Sequence, residues 1–128
     1  MPSHEHMVAA VEAYVDAFAR GDPEAVVALF ADNATVEDPV GSPAHVGTDA
    51  IRKFYTESMK TGAKLQIIGP VRTTSEFAAF AFEVHLEMGG ATMRVDVIDT
   101  FRFRPDGKVA EMRAYFSQNN FHTGAANA

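Results

Sequence analysis

Met93-Arg94-Val95-Asp96-Val97-Ile98-Asp99-Thr100-Phe101-Arg102-Phe103 alternates with a period of two residues. That is the period of a strand with one buried face, because successive side chains leave opposite sides of a sheet. One face carries Met93, Val95, Val97, Asp99, Phe101 and Phe103, and the other carries Arg94, Asp96, Ile98, Thr100 and Arg102. Asp99 stands where the pattern demands a hydrophobe. No basic residue shares its face, so the carboxyl tends to take up a proton rather than bear a charge in apolar surroundings. A neutral carboxylic acid is a strong hydrogen-bond donor, suited to chemistry that develops an oxyanion. A structural acid satisfied by backbone amides or a hydroxyl fits the same pattern, and the strand alone does not separate the two.

Further strands surround this one. Gly89-Gly90 is a tight hairpin to the preceding strand, where Phe80, Phe82, Val84, Leu86 and Met88 alternate against Glu83, His85 and Glu87. Pro105-Asp106-Gly107-Lys108 turns the chain into a last strand, with Ala110, Met112, Ala114 and Phe116 on one face. Residues 65–73 form a fourth, broken by Gly69-Pro70, which predicts a bend or bulge at a sheet edge. From His122 onward the tail is small and polar and is expected to fray.

Helices precede the strands. Ser3 caps a first helix with a stripe of Met7, Ala10, Val11, Tyr14, Val15 and Phe18, closed by Arg20-Gly21. Asp22-Pro23-Glu24 starts a second, in which residues 25–31 offer Val26, Val27, Leu29 and Phe30 for burial. A short strand, Ala34-Thr35-Val36-Glu37-Asp38, ends at Pro39, which forces Asp38 to be extended at a strand end facing a loop. After the loop 40–46, Thr48 caps a third helix with Ile51, Phe54, Tyr55 and Met59 on its buried side. Three N-terminal helices packed on a curved, mostly antiparallel sheet make an α+β domain spanning residues 1–128, a cone whose open end is an apolar pocket.

The composition narrows the choice of function. With 47% hydrophobic and 22% charged residues the 128-residue chain is an ordinary globular one with one core. A net charge of −6 without a basic run argues against nucleic acid or an anionic membrane as partner. The absence of cysteine removes disulfides, thiolate metal sites and thiol nucleophiles. No apolar run approaches the roughly 20 residues of a membrane span, and Met1-Pro2-Ser3-His4-Glu5-His6 is no signal peptide, so the expectation is a cytoplasmic protein. His4-Glu5-His6 lacks an evident third metal ligand, and no phosphate-loop, dinucleotide or nucleophile-elbow motif occurs.

Four polar groups interrupt or terminate apolar patterns: Tyr14, Asp38, Tyr55 and Asp99. Converging on the cone's interior, they divide into complementary roles. Asp38, partly hydrated at a strand end, stays ionised and acts as a base, whereas Tyr14 and Asp99 stay protonated as oxyanion donors. Two carboxyls held in opposite protonation states suit proton abstraction beside a carbonyl, with the enolate held by hydrogen bonds.

The chain resembles the bacterial ketosteroid isomerases, steroid Δ5-3-ketoisomerases of the NTF2-like fold group, from Tyr14-Val15 through Phe121. The resemblance is densest in Ala28-Leu29-Phe30-Ala31-Asp32 and Ala34-Thr35-Val36-Glu37-Asp38-Pro39-Val40-Gly41. It continues in Ile51-Arg52-Lys53-Phe54-Tyr55, Asp96-Val97-Ile98-Asp99 and Met112-Arg113-Ala114-Tyr115-Phe116. It implies that Asp38 moves a proton from C4 to C6 of a 3-oxo-Δ5-steroid. Tyr14 and a protonated Asp99 would be the oxyanion donors, with Tyr55 hydrogen-bonded behind Tyr14; a neutral acid of this kind is a known property of the family. It also implies a homodimer, a small hydrophobic steroid as partner and no cofactor. The steroid would be gripped by Phe54, Phe82, Val84, Leu86, Val97, Phe101, Met112, Ala114 and Phe116. Phe30 stands where some relatives extend the tyrosine chain. An NTF2-like cyclase or hydrolase needs water-activating polar groups that these strand faces do not offer. A non-catalytic module for hydrophobic ligands has no reason to bury two acids.

Overall fold

The computed structural model describes residues 1–124. Helix α1 (His4–Arg20) begins where the Ser3 side chain accepts from the His6 amide at 3.0 Å and ends at Gly21, whose φ of 63° only glycine adopts freely. Its stripe of Met7, Ala10, Val11, Tyr14, Ala17 and Phe18 is buried. Helix α2 is Pro23–Val27, capped by Asp22. It is shorter than the apolar run suggested, because Phe30 and Ala31 already belong to strand β1 (Phe30–Glu37). A two-residue strand, β2 (His45–Val46), lies inside the expected loop. Helix α3 (Thr48–Met59) follows Gly47 without a side-chain cap, so Thr48 is its first residue and not its cap. The Thr48 hydroxyl points instead to the Asp32 carbonyl, at 3.5 Å.

Strands β3 (Lys64–Thr73), β4 (Phe77–Met88), β5 (Ala91–Phe103) and β6 (Val109–Tyr115) form an antiparallel meander, irregular between Ile68 and Arg72 around Gly69-Pro70. β1 adds to β6 in parallel, giving the order β2-β1-β6-β5-β4-β3. A register shift opposite Arg102/Phe103 turns Val109, not Ala110, into the core, correcting the simple alternation expected for the last strand. The tail does not fray at His122 either: strand β7 (Phe121–Thr123) pairs with β5. The remainder of that expectation, residues 125–128, lies outside the described residues.

The helices cover the sheet face that carries Phe80, Phe101 and Phe103, and this interface is the core. The other face is open, with Ile68, Ala81, Ile98 and Tyr115 forming one row across β3, β4, β5 and β6. No helix of the described residues is long and apolar enough to cross a membrane. His4 and His6 go to different partners, the Thr73 hydroxyl at 2.7 Å and the Gly107 carbonyl at 2.9 Å.

Candidate active site

A cavity of about 250 Å³ opens between the helices and the concave side of the sheet. Tyr14, Tyr55, Asp38 and Asp99 all line it. Helical spacing brings Tyr14 inward from α1 and Tyr55 inward from α3, and their hydroxyls meet at 3.1 Å. Tyr14 is fixed laterally by edge-on rings, with Phe101 at 5.3 Å and Phe80 at 6.4 Å. Burial raises both phenols well above their ordinary pKa, so both are neutral O–H groups. Phe30 lies 6.1 Å from Tyr55, ring to ring, and carries no hydroxyl to prolong the pair.

Asp99 is 1% exposed. Its cross-strand neighbours are Phe80 on β4 and Ala114 on β6, so the sheet offers its carboxyl no partner. Both oxygens are buried without a hydrogen bond among the described residues. Burial, and secondarily the charge of Asp38, hold its pKa well above the carboxylate range. The group is a neutral acid with an unused donor facing an apolar cavity.

Asp38 follows the end of β1, beside Pro39. Desolvation lifts its pKa from 3.8 to about 6. It remains mostly ionised at neutral pH, as the sequence suggested, but is a stronger base than a fully hydrated carboxylate. Its loop is tied down on both sides. Glu37 accepts from Arg113 Nε and from the Gly41 amide, each at 3.1 Å, and the Val40 amide donates to the Ala114 carbonyl at 2.8 Å. Ala114 is the cross-strand partner of Asp99, so this last bond locks the two acids to one cavity.

The apolar walls differ in part from expectation. Phe54, Phe82, Val84, Leu86, Val97, Ala114 and Phe116 line the cavity. Phe101 and Met112 do not: both are fully buried in the core behind it. Period two identifies the inward face of a strand but not the depth at which the helices seal it, and Tyr14 covers Phe101. The sequence reading missed Phe18, Ser58, Thr61, Ala63, Leu65, Val95 and Phe121, all on the cavity wall. Phe18 and Val95 were within reach, one turn from Tyr14 and on the same strand face as Asp99. Phe121 carried no signal, since it opens a tail of small and polar residues.

Such a cavity combines a base with two neutral donors and little water-binding surface. The chain is similar along most of its length to known proteins. The SnoaL-like domain family matches residues 11–112. A protein from Nocardioides simplex named Steroid Delta-isomerase is 41% identical over 110 residues, covering 85% of this chain and 88% of the relative. Among solved structures, SalBIII, an epoxide hydrolase/cyclase-like enzyme described in pyran ring formation in the polyether salinomycin, superposes with a TM-score of 0.87. It is 23% identical, with 94% of this chain and 98% of that one covered, a likeness of fold alone. The chain has the NTF2-like fold and belongs to the SnoaL-like domain family, with a steroid Delta-isomerase among its relatives.

Proposed function

We propose that the protein is a steroid Δ5-isomerase that moves the C5=C6 double bond of a 3-oxo-Δ5-steroid into conjugation with the ketone. The Asp38 carboxylate takes the proton from C4, and the electron pair shifts towards the C3 oxygen to give a dienolate. Tyr14, accepting from the Tyr55 hydroxyl, donates a hydrogen bond to that oxygen while keeping its proton, and the protonated Asp99 donates beside it. The carboxylic acid of Asp38 then returns the proton to C6, and the conjugated enone forms. Atoms balance within the substrate, so the step calls on no cofactor.

The observation that carries this reading is the Asp99 carboxyl, buried on the cavity wall with neither oxygen bonded. A carrier for hydrophobic molecules would gain stability from a hydrophobe there. The apolar walls favour a flat hydrocarbon skeleton, each large side chain buried contributing roughly 1.5–3 kcal/mol. A continuous ultraviolet assay on 5-androstene-3,17-dione tests the reading. Enzyme-dependent appearance of the conjugated enone is expected, and no rate above background overturns it. The kcat/KM should fall as pH drops through about 6, because protonation removes the base. A profile flat across that pH would show that Asp38 is not the proton acceptor.

We also propose that the working form is a homodimer joined through the open sheet face. The row from Ile68 to Tyr115 supports it: Ile98 is 50% and Tyr115 42% exposed, unusual for large apolar groups at the centre of a sheet. Equilibrium sedimentation is expected to give twice the chain mass, and Ile98→Lys with Tyr115→Lys to shift it towards the monomer.

A further inference from the structure

The chain does not run free after β6. Ser117 caps a short 3-10 turn (Gln118–Asn120), and β7 then occupies the part of the β5 edge beyond β6. Met93 stands opposite Thr123, Arg94 opposite His122 and Val95 opposite Phe121. The Gly124 amide donates to the Thr92 carbonyl at 2.9 Å, and His122 Nε2 lies 3.1 Å from Asp96 Oδ2 on the outer side. Together these bonds make a strap across the mouth of the cone.

Paired residues of neighbouring strands point to the same side of a sheet. Val95 is buried on the cavity side, so Phe121 faces the cavity too, and its ring stands 6.1 Å from that of Phe116. Val95 precedes Asp99 by four residues on one strand face, on the order of 13 Å of extended chain. Phe121 is therefore at the end of the cavity away from the two oxyanion donors. It is 42% exposed, an aromatic ring at a rim with one side available to a ligand.

We infer that Phe121, carried on this C-terminal strap, is a specificity-determining residue that grips the rings of the steroid farthest from the reacting ketone. The inference rests on the isomerase reading and deepens it by assigning recognition of the distant rings to a segment separate from the chemistry. A contact to unreacting rings holds substrate and transition state alike, so its loss raises KM more than it lowers kcat.

Phe121→Ala separates the roles when a steroid is compared with a one-ring substrate. The ratio of kcat/KM for 5-androstene-3,17-dione to that for 3-cyclohexen-1-one is expected to fall about tenfold, through the steroid's KM, and Phe121→Leu to recover most of it. An unchanged ratio overturns the inference, because a strap that merely supports the fold would affect both substrates alike. Equilibrium binding of estradiol needs no turnover and gives an independent answer. About tenfold weaker affinity in Phe121→Ala supports the assignment. Equal affinity, or no binding by the parent protein, overturns it. A parent that binds estradiol about tenfold more tightly than Phe121→Ala but isomerises neither ketone would fail the isomerase reading while leaving this contact supported.

Discussion

Asp38→Asn is expected to lower kcat by roughly 10²–10⁴-fold while leaving the affinity for steroid analogues intact and making the protein harder to unfold. The kinetic loss follows, on the proposed mechanism, from removing the carboxylate that carries the proton from C4 to C6. The gain in stability follows from the same desolvation that makes Asp38 a useful base. Its pKa is about 6 in the folded chain against an ordinary 3.8, so between those values the folded state holds more protons than the unfolded one. Stability therefore falls as pH rises through this window, and above it the ionised group carries the full penalty. At about 1.4 kcal/mol per pKa unit the penalty is at most on the order of 3 kcal/mol, less whatever water at this half-buried position screens. Asparagine keeps the shape without the charge. Thermal unfolding of parent and variant should differ most above pH 6 and converge below pH 4. Substantial turnover in the variant would remove Asp38 from the role of base, and equal unfolding temperatures at every pH would contradict the desolvation argument.

Tyr14→Phe and Asp99→Leu should each lower kcat by roughly 10²–10³-fold with much smaller changes in KM, because in the proposed mechanism each removes a donor to the forming oxyanion. Their effects on stability should have opposite signs. Tyr14→Phe leaves the buried Tyr55 hydroxyl without its partner at 3.1 Å, a loss of about 1–3 kcal/mol. Asp99→Leu replaces two unbonded buried oxygens by methyl groups facing a cavity with room for them, and should stabilise. Kinetics and chemical denaturation on the two variants test this. An Asp99→Leu protein that is both active and less stable would mark the acid as a structural one.

The elements that could be read from sequence were those whose side chains obey one period. Asp99 was legible because it breaks a period of two, Tyr14 and Tyr55 because they ride helical stripes, and Asp38 because Pro39 dictates the backbone before it. Period alone says which way a residue points. It does not say what else covers it, which is why Phe101 and Met112 were expected on the cavity wall and are found behind it. The bulge that turns Val109 inward depends on how two strands fit across a hairpin, a matter of pairing that neither strand encodes alone. The short α2 reflects competition: Phe30 pairs with Val109 of a later strand instead of extending the helix. Phe121 is the same kind of case, since its strand exists only where β5 extends past β6.

Parallel pairing of β1 with β6 joins Glu37 to Arg113, 76 residues later in the chain. Contacts of such long separation form late, because a large loop must close before they stabilise anything. As the chain leaves the ribosome, the helices and β1 are complete long before β6 exists. Asp38 and Asp99 come to line one cavity only when the sixth strand docks, so the unfavourable assembly of the acids is deferred to the final stage of folding. The penalty for them should then fall on the rate of unfolding and hardly on the rate of folding: Asp38→Asn and Asp99→Leu prolong the life of the native state without hastening its arrival.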